Sequence, residues 1–255
     1  MPGRFCWVEL LTSDIGAAQA FYGEVVGWTC ASPGHAERDY RLFFYEGNAA
    51  AGLMALPDEA KAQGARPSWF GYVASADVDA DVAAITAAGG RLYRPAETLP
   101  KIGRFAVVAD PQGAPFALWK DLSGMKPPEL PPMAVGHVGW RELFTDDVEK
   151  AFAFYEGKFG WTKGETMDMG PMGAYQLFAT GGDHAVGGMM KRPPNVPQPF
   201  WNYYFTVAAL DETLEKVKKA GGQLAHGPME VPGGAWIAQC FDPQGAFFSL
   251  VAAKR

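Results

Sequence analysis

Two short segments place an indole two residues before a carboxylate: Trp7 with Glu9 in WVELLT, and Trp140 with Glu142 in WRELFT. Residues 5–12 alternate apolar and polar with a β-rich composition, which predicts a strand. On a strand, residues i and i+2 share one face. Each pair could therefore let Trp pack a flat ligand while Glu accepts a hydrogen bond or acts as a base. The plainer alternative is a core Trp whose neighbouring Glu pairs with an Arg or a backbone group.

Other chemistry-bearing residues form no pattern. The histidines are His35, His137, His184 and His226, and none shows the i, i+4 spacing of a helical metal pair. His137 lies three residues before Trp140, so alternation turns it to the other face. Cys6, Cys30 and Cys240 are too few and too scattered for a disulfide framework or a zinc site. Cys6 also has no obvious activating base, which argues against a nucleophile. The glycine pairs sit at helix ends or tight turns, outside any phosphate-loop pattern. Arg104 could meet an anion, but Trp236 replaces it in the second half, and a surface salt bridge is the simpler expectation.

The elements that position these residues come in two copies. Residues 7–28 recur at 140–161 with about half the positions identical, and DPQGAPFAL (110–118) recurs as DPQGAFFSL (242–250). AAGGRL answers KAGGQL, and Trp69 with Tyr72 answer Trp201 with Tyr204. Self-similarity of this kind sets the architecture. The halves are 1–122 and 135–255, joined by a Pro-rich linker at 123–134. Within each half the order is strand, helix, then strands, twice over. In the first half strands are expected at 5–12, 39–46, 49–56, 69–75, 91–94, 104–109 and 115–120. Helices are expected after Asp14, ending at Gly27, and over 79–89.

Composition narrows the function classes. The chain has 255 residues, 48% hydrophobic, with formal net charge −6, so it can bury a core and lacks the basic surface of a nucleic-acid binder. No segment approaches the ~18 apolar residues of a membrane span, and the start lacks a signal-peptide h-region. A cytoplasmic protein, monomeric or homodimeric, with no nucleic-acid or membrane partner, is expected.

The order of elements, with T-x-D, then FY followed by G, then GW after the first strand, and DPQG before the last, resembles the vicinal oxygen chelate superfamily. That superfamily includes glyoxalases, bleomycin-resistance proteins and extradiol dioxygenases. The likeness covers nearly the whole chain and is nearest to two-domain, actinobacterial-type glyoxalase-like proteins with W-x-[DE]-L-x-T at both starts. It implies an α+β fold: four βαβββ modules arranged as two homologous glyoxalase-like domains with half-open, cup-shaped mixed sheets. In the superfamily's metalloenzymes a divalent cation sits in the cup on His, Gln or Glu. The matching positions here are Trp7, Phe70 and Ala117, and Trp140, Asn202 and Ser249. Such cations need imidazole or carboxylate ligands, and only Asn202 is even a weak candidate. No cofactor is expected, and a divalent metal only if an atypical site exists.

If the cup holds a ligand, its lining includes Trp7, Glu9, Tyr72, Trp140, Glu142, Asn202 and Tyr204, with Glu9 and Glu142 as catalytic candidates. Trp69 and Trp201 fall on the opposite strand face and should pack against helices or close the module interface, while Trp28 and Trp161 are core. His184, in GGDHAVGG, adjoins the strand that supplies a Glu ligand in glyoxalases, although a turn histidine is the plainer reading. The expected function is metal-independent binding of a small molecule, an antibiotic or metabolite. The alternative is a glyoxalase-like lyase or isomerase, or a dioxygenase-related enzyme, with an atypical site. A structural role with silent cups is the third possibility.

Overall fold

A computed structural model describes residues 2–32, 39–124 and 130–255. His35 and positions 125–129 of the expected linker lie outside the described residues. The first half runs β1 (Phe5–Thr12), α1 (Ile15–Val26), β2 (Thr29–Ala31), β3 (Tyr40–Tyr45), β4 (Asn48–Ala55), α2 (Asp58–Ala62), β5 (Ser68–Ala74), α3 (Val78–Ala87), β6 (Arg91–Leu99), β7 (Gly103–Ala109) and β8 (Pro115–Asp121). The second runs β9 (Val138–Thr145), α4 (Val148–Phe159), β10 (Thr162–Asp168), β11 (Ala174–Ala179), β12 (Gly187–Lys191), β13 (Phe200–Thr206), α5 (Leu210–Lys219), β14 (Gln223–Glu230), β15 (Trp236–Phe241) and β16 (Phe247–Ala252).

Local chemistry explains the helix boundaries. The Asp14 carboxylate accepts the Ala17 amide at 2.9 Å and begins α1, and Gly27, at φ 83°, ends it. Asp147 and Gly160 do the same for α4, and Asp77 caps α3 through the Ala80 amide. These side chains satisfy amides that a helix start leaves without partners. Three elements depart from expectation: β2 and α2 are too short to show a periodicity, and β6 runs on to Leu99.

Each half contributes one mixed eight-stranded sheet. The orders are β2-β3-β4-β1-β5-β8-β7-β6 and β10-β11-β12-β9-β13-β16-β15-β14. Within each βαβββ module the first strand pairs parallel to the last, as β1 with β4 and β13 with β16. Neither sheet closes on itself. The fold is α+β with two glyoxalase-like repeats. No helix is long and apolar enough to cross a membrane among the described residues.

Compact units cut across the repeat. Unit 1 comprises Met1–Trp7, Phe70–Pro127 and Arg141–Trp201; unit 2 comprises Val8–Trp69, Pro128–Trp140 and Asn202–Arg255. Each unit thus joins one module from either half around its own core. In unit 1, Tyr155 of α4 is fully buried; its hydroxyl accepts from Trp201 Nε1 at 3.0 Å and donates to Asp110 Oδ2 at 3.1 Å. Asp110 Oδ1 accepts the amides of Gln112 and Ala114, shaping the DPQG turn. In unit 2, Trp69 Nε1 donates to the Tyr22 hydroxyl at 2.8 Å, which donates to Asp242 Oδ2 at 3.2 Å. Asp242 Oδ1 in turn holds Gln244 and Ala246. The repeated FY, Trp and DPQG residues are thereby joined into one buried relay per unit.

Candidate functional site

Those relays settle which strand faces are covered. Trp69 and Trp201 meet tyrosines on helices, as alternation required, so Phe70, Tyr72, Asn202 and Tyr204 lie on the helix-free faces. Trp28 and Trp161 are buried core, each donating its indole N–H to a backbone carbonyl, Gly136 and Gly3 respectively.

In unit 1 the helix-free face is aromatic. Tyr72 is 8% exposed, and its ring stands edge-on to Phe70 and to Trp119, both at 6.1 Å. Tyr72 is in register with Ala117, and Phe105 with Trp119. The Trp119 indole packs against Gly103, where an added Cβ would come within 2.3 Å of the ring. At the edge, the Arg94 guanidinium sits 5.0 Å from the centre of the Phe105 ring and is held by Glu97 at 2.5 Å. Trp7, half-buried, precedes this face on β1.

In unit 2 the corresponding face is polar. Asn202, 1% exposed, donates to the Ser249 hydroxyl at 2.8 Å, and Gln239 donates to the Tyr204 hydroxyl at 3.2 Å. Tyr204 and Gln239 are each in register with Ser249. His226 pairs with Gln239 across β14 and β15, its Nε2 3.1 Å from Met229 Sδ. Trp140 is half-buried.

The two glutamates are buried, Glu9 at 5% exposure and Glu142 at 6%. Each lies on the helix-free face. Glu9 is in register with Gly52, while its neighbour Leu10 pairs with Leu53 on the side where Phe43 meets Tyr22 of α1. Glu142 is in register with Gly188, and the Tyr175 ring lies over that glycine, 2.2 Å from where a Cβ would stand.

Several candidates are accounted for without a ligand. Arg104 forms a two-pronged salt bridge with Asp79 at 2.9 and 2.7 Å and also donates to Thr98. His184 is exposed, in a turn. His137 is half-buried, and burial pulls its imidazole below the usual range. Asp110 and Asp242 are raised above the usual carboxylate range, first by burial and against the pull of their amide and tyrosine donors. Their bonds identify them as packing groups.

The positions matching the superfamily's metal ligands do not fit a divalent cation. They present two indoles, a phenyl, a methyl, an amide and a hydroxyl, and the last two bond to each other. No group of three or more His, Cys, Asp or Glu close enough to hold a metal occurs among the described residues. Trp119, Phe105, Arg94 and Gln239 belong to the two faces and were not anticipated. Alternation from Ala117 would have found Trp119; the others sit on strands fixed only by long-range pairing.

Sequence-family comparison matches residues 134–250 to the "Glyoxalase/Bleomycin resistance protein/Dioxygenase superfamily" and residues 4–36 to "Bleomycin resistance protein-like N-terminal". The chain is 35% identical to "Putative glyoxylase CFP32" of Mycobacterium tuberculosis over 96% of this chain and 93% of that protein. It is 30% identical to "Anthracycline biosynthesis protein DnrV" of Streptomyces peucetius, over 99% and 94%. Among solved structures, the Mn(II)-bound glyoxalase of Novosphingobium aromaticivorans aligns with TM-score 0.67 at 17% identity, covering 100% of this chain and 83% of that one. The 2,3-dioxygenase LapB of Pseudomonas sp. KL28 aligns at 0.66 and 12%, covering 99% and 92%. With the repeated modules, the relays and these matches together, the chain belongs to the glyoxalase/bleomycin resistance protein/dioxygenase superfamily.

Proposed function

We propose that this chain binds a small, planar organic molecule without a metal ion, and that the aromatic face of unit 1 is where it stacks. The observation that carries this reading is the group Phe70, Tyr72, Phe105 and Trp119 on the helix-free face, where the superfamily's ligand positions offer no cation donor. Aromatic rings provide large apolar contact with directional stacking, and Arg94 at the edge adds a donor for a ligand oxygen. Two relatives carry names that tie them to anthracycline biosynthesis, and an anthracycline is a fused-ring aromatic of the kind such a face accepts.

The second reading, an enzyme of the glyoxalase or dioxygenase type with an atypical site, rests on the buried Glu9 and Glu142 carboxylates. One experiment separates the two. Dialysed protein is analysed for bound metals and titrated with fused-ring aromatics, for wild type and Trp119→Leu. Metal-free protein that binds such a ligand, with several-fold weaker binding in the variant, supports the proposal. Ligand binding that requires an added divalent cation, or that ignores Trp119→Leu, overturns it.

A further inference from the structure

A cleft of about 270 Å³ lies within unit 1, lined by Arg4, Phe5, Arg141, Asp183, His184 and Val186, none of which belongs to the aromatic group. The second strand of the repeat places Arg141 where the first has Val8, so this charge has no counterpart in the other half. Arg4 is anchored rather than waving: its Nε donates to the Thr180 carbonyl at 2.9 Å and its Nη2 to that of Gly181. Its charge therefore meets carbonyl dipoles and no carboxylate among the described residues. The Arg141 guanidinium stands 5.7 Å from the centre of the Phe5 ring, and Phe5 is itself braced edge-on against Trp201 at 5.1 Å. Two guanidiniums, those of Arg4 and Arg141, thus line one cleft together with His184 and Asp183.

We infer that this cleft is a second binding site, for a small oxyanion of the phosphate-monoester type. Planar guanidinium groups recognise phosphate oxygens through paired N–H donors, and anchored ones lose less freedom on binding. The volume, just under the ~300 Å³ at which ordinary ligand pockets begin, admits a phosphate with a short organic tail. Asp183 sets the selectivity: it repels a second acidic group on the ligand, so a compact anion is favoured over an extended polyacid.

The test is calorimetric titration of the full chain with inorganic phosphate at low ionic strength, with acetate as a carboxylate probe. Wild type should bind one phosphate per chain, more tightly than acetate, with affinity falling as salt rises. Arg141→Val, which installs the residue of the first half, and Arg4→Gln should each weaken phosphate about tenfold or more. Asp183→Asn should tighten it several-fold, an effect that loss of folding cannot imitate. Absence of phosphate binding in wild type, acetate binding equal to phosphate, or an affinity unmoved by Asp183→Asn would each overturn the assignment. None of these outcomes bears on the aromatic face, which phosphate does not probe.

Discussion

Replacing Tyr155 by Phe tests whether the repeated sequence motifs are packing devices. The hydroxyl removed has two partners: the Trp201 indole N–H at 3.0 Å and Asp110 Oδ2 at 3.1 Å. A hydrogen bond to a charged group contributes about 1.5–3 kcal/mol, and a buried donor left without an acceptor costs about 1–3 kcal/mol. The Asp110 carboxylate keeps two amide donors, which offsets part of the loss. Together these give a destabilisation of about 2–4 kcal/mol, or a fall in Tm of roughly 5–15 °C for a chain of this size.

The same prediction has a pH signature. Burial holds Asp110 above the usual carboxylate range in the folded protein, while in the unfolded chain it titrates near ~3.9. The folded state therefore binds this proton more tightly, and the contribution of Asp110 to stability is greatest below the unfolded pKa and falls as pH rises through the folded one. The Tyr155 hydroxyl supports the charged form, so its loss should matter more near neutral pH than near pH ~4. Thermal or chemical denaturation of wild type and Tyr155→Phe at both pH values measures this directly. A loss below about 0.5 kcal/mol, the size of an ordinary surface substitution, would refute the relay as a structural element. A loss identical at the two pH values would refute the role given to Asp110. Tyr22→Phe should behave alike through Asp242 in unit 2.

Glu9→Gln and Glu142→Gln should leave the melting transition in place while weakening any ligand that bonds to the carboxylates by about 1.5–3 kcal/mol; a thermal-shift screen followed by titration on each hit checks this, and hits bound equally by both variants would remove the glutamates from the site. Gly103→Ala should displace the Trp119 indole, since the new Cβ would stand 2.3 Å from the ring; near-ultraviolet circular dichroism should change, and an unchanged spectrum would contradict the stacking. Cys240, buried and with its thiol pushed up to about 12, should resist alkylation at neutral pH until the protein unfolds. Mass spectrometry after brief iodoacetamide treatment reads that out, and rapid native labelling of Cys240 would contradict it.

How far the sequence could be read depended on the range of each signal. Short-range signals were sufficient for the helix cap Asp14, for the helix-side packing of Trp69 and Trp201, and for the salt-bridged Arg104. β2 and α2 escaped because three and five residues carry no periodicity. The relays escaped for a different reason. FY and DPQG were visible as repeats, but the partner of Tyr22 is Asp242 and that of Tyr155 is Asp110, each in the opposite half. Nothing local specifies a pairing across that separation.

The comparison of the halves also reverses the usual inference from repetition. Residues that recur, Tyr22 and Tyr155, Trp69 and Trp201, Asp110 and Asp242, are occupied in bonding to one another inside the cores. Residues that differ line the helix-free faces: Phe70 against Asn202, Ala117 against Ser249, Phe105 against Ile237, Trp119 against Val251. Shared core chemistry keeps two modules folding alike, while unshared face chemistry lets one half stack rings and the other exchange hydrogen bonds. The division is not complete: Tyr72 and Tyr204 recur on the helix-free faces, and so do Glu9 and Glu142. Each of these glutamates is a buried carboxylate beside a glycine in register. That places the two glutamates first among the residues on which the choice between a binding protein and an enzyme turns.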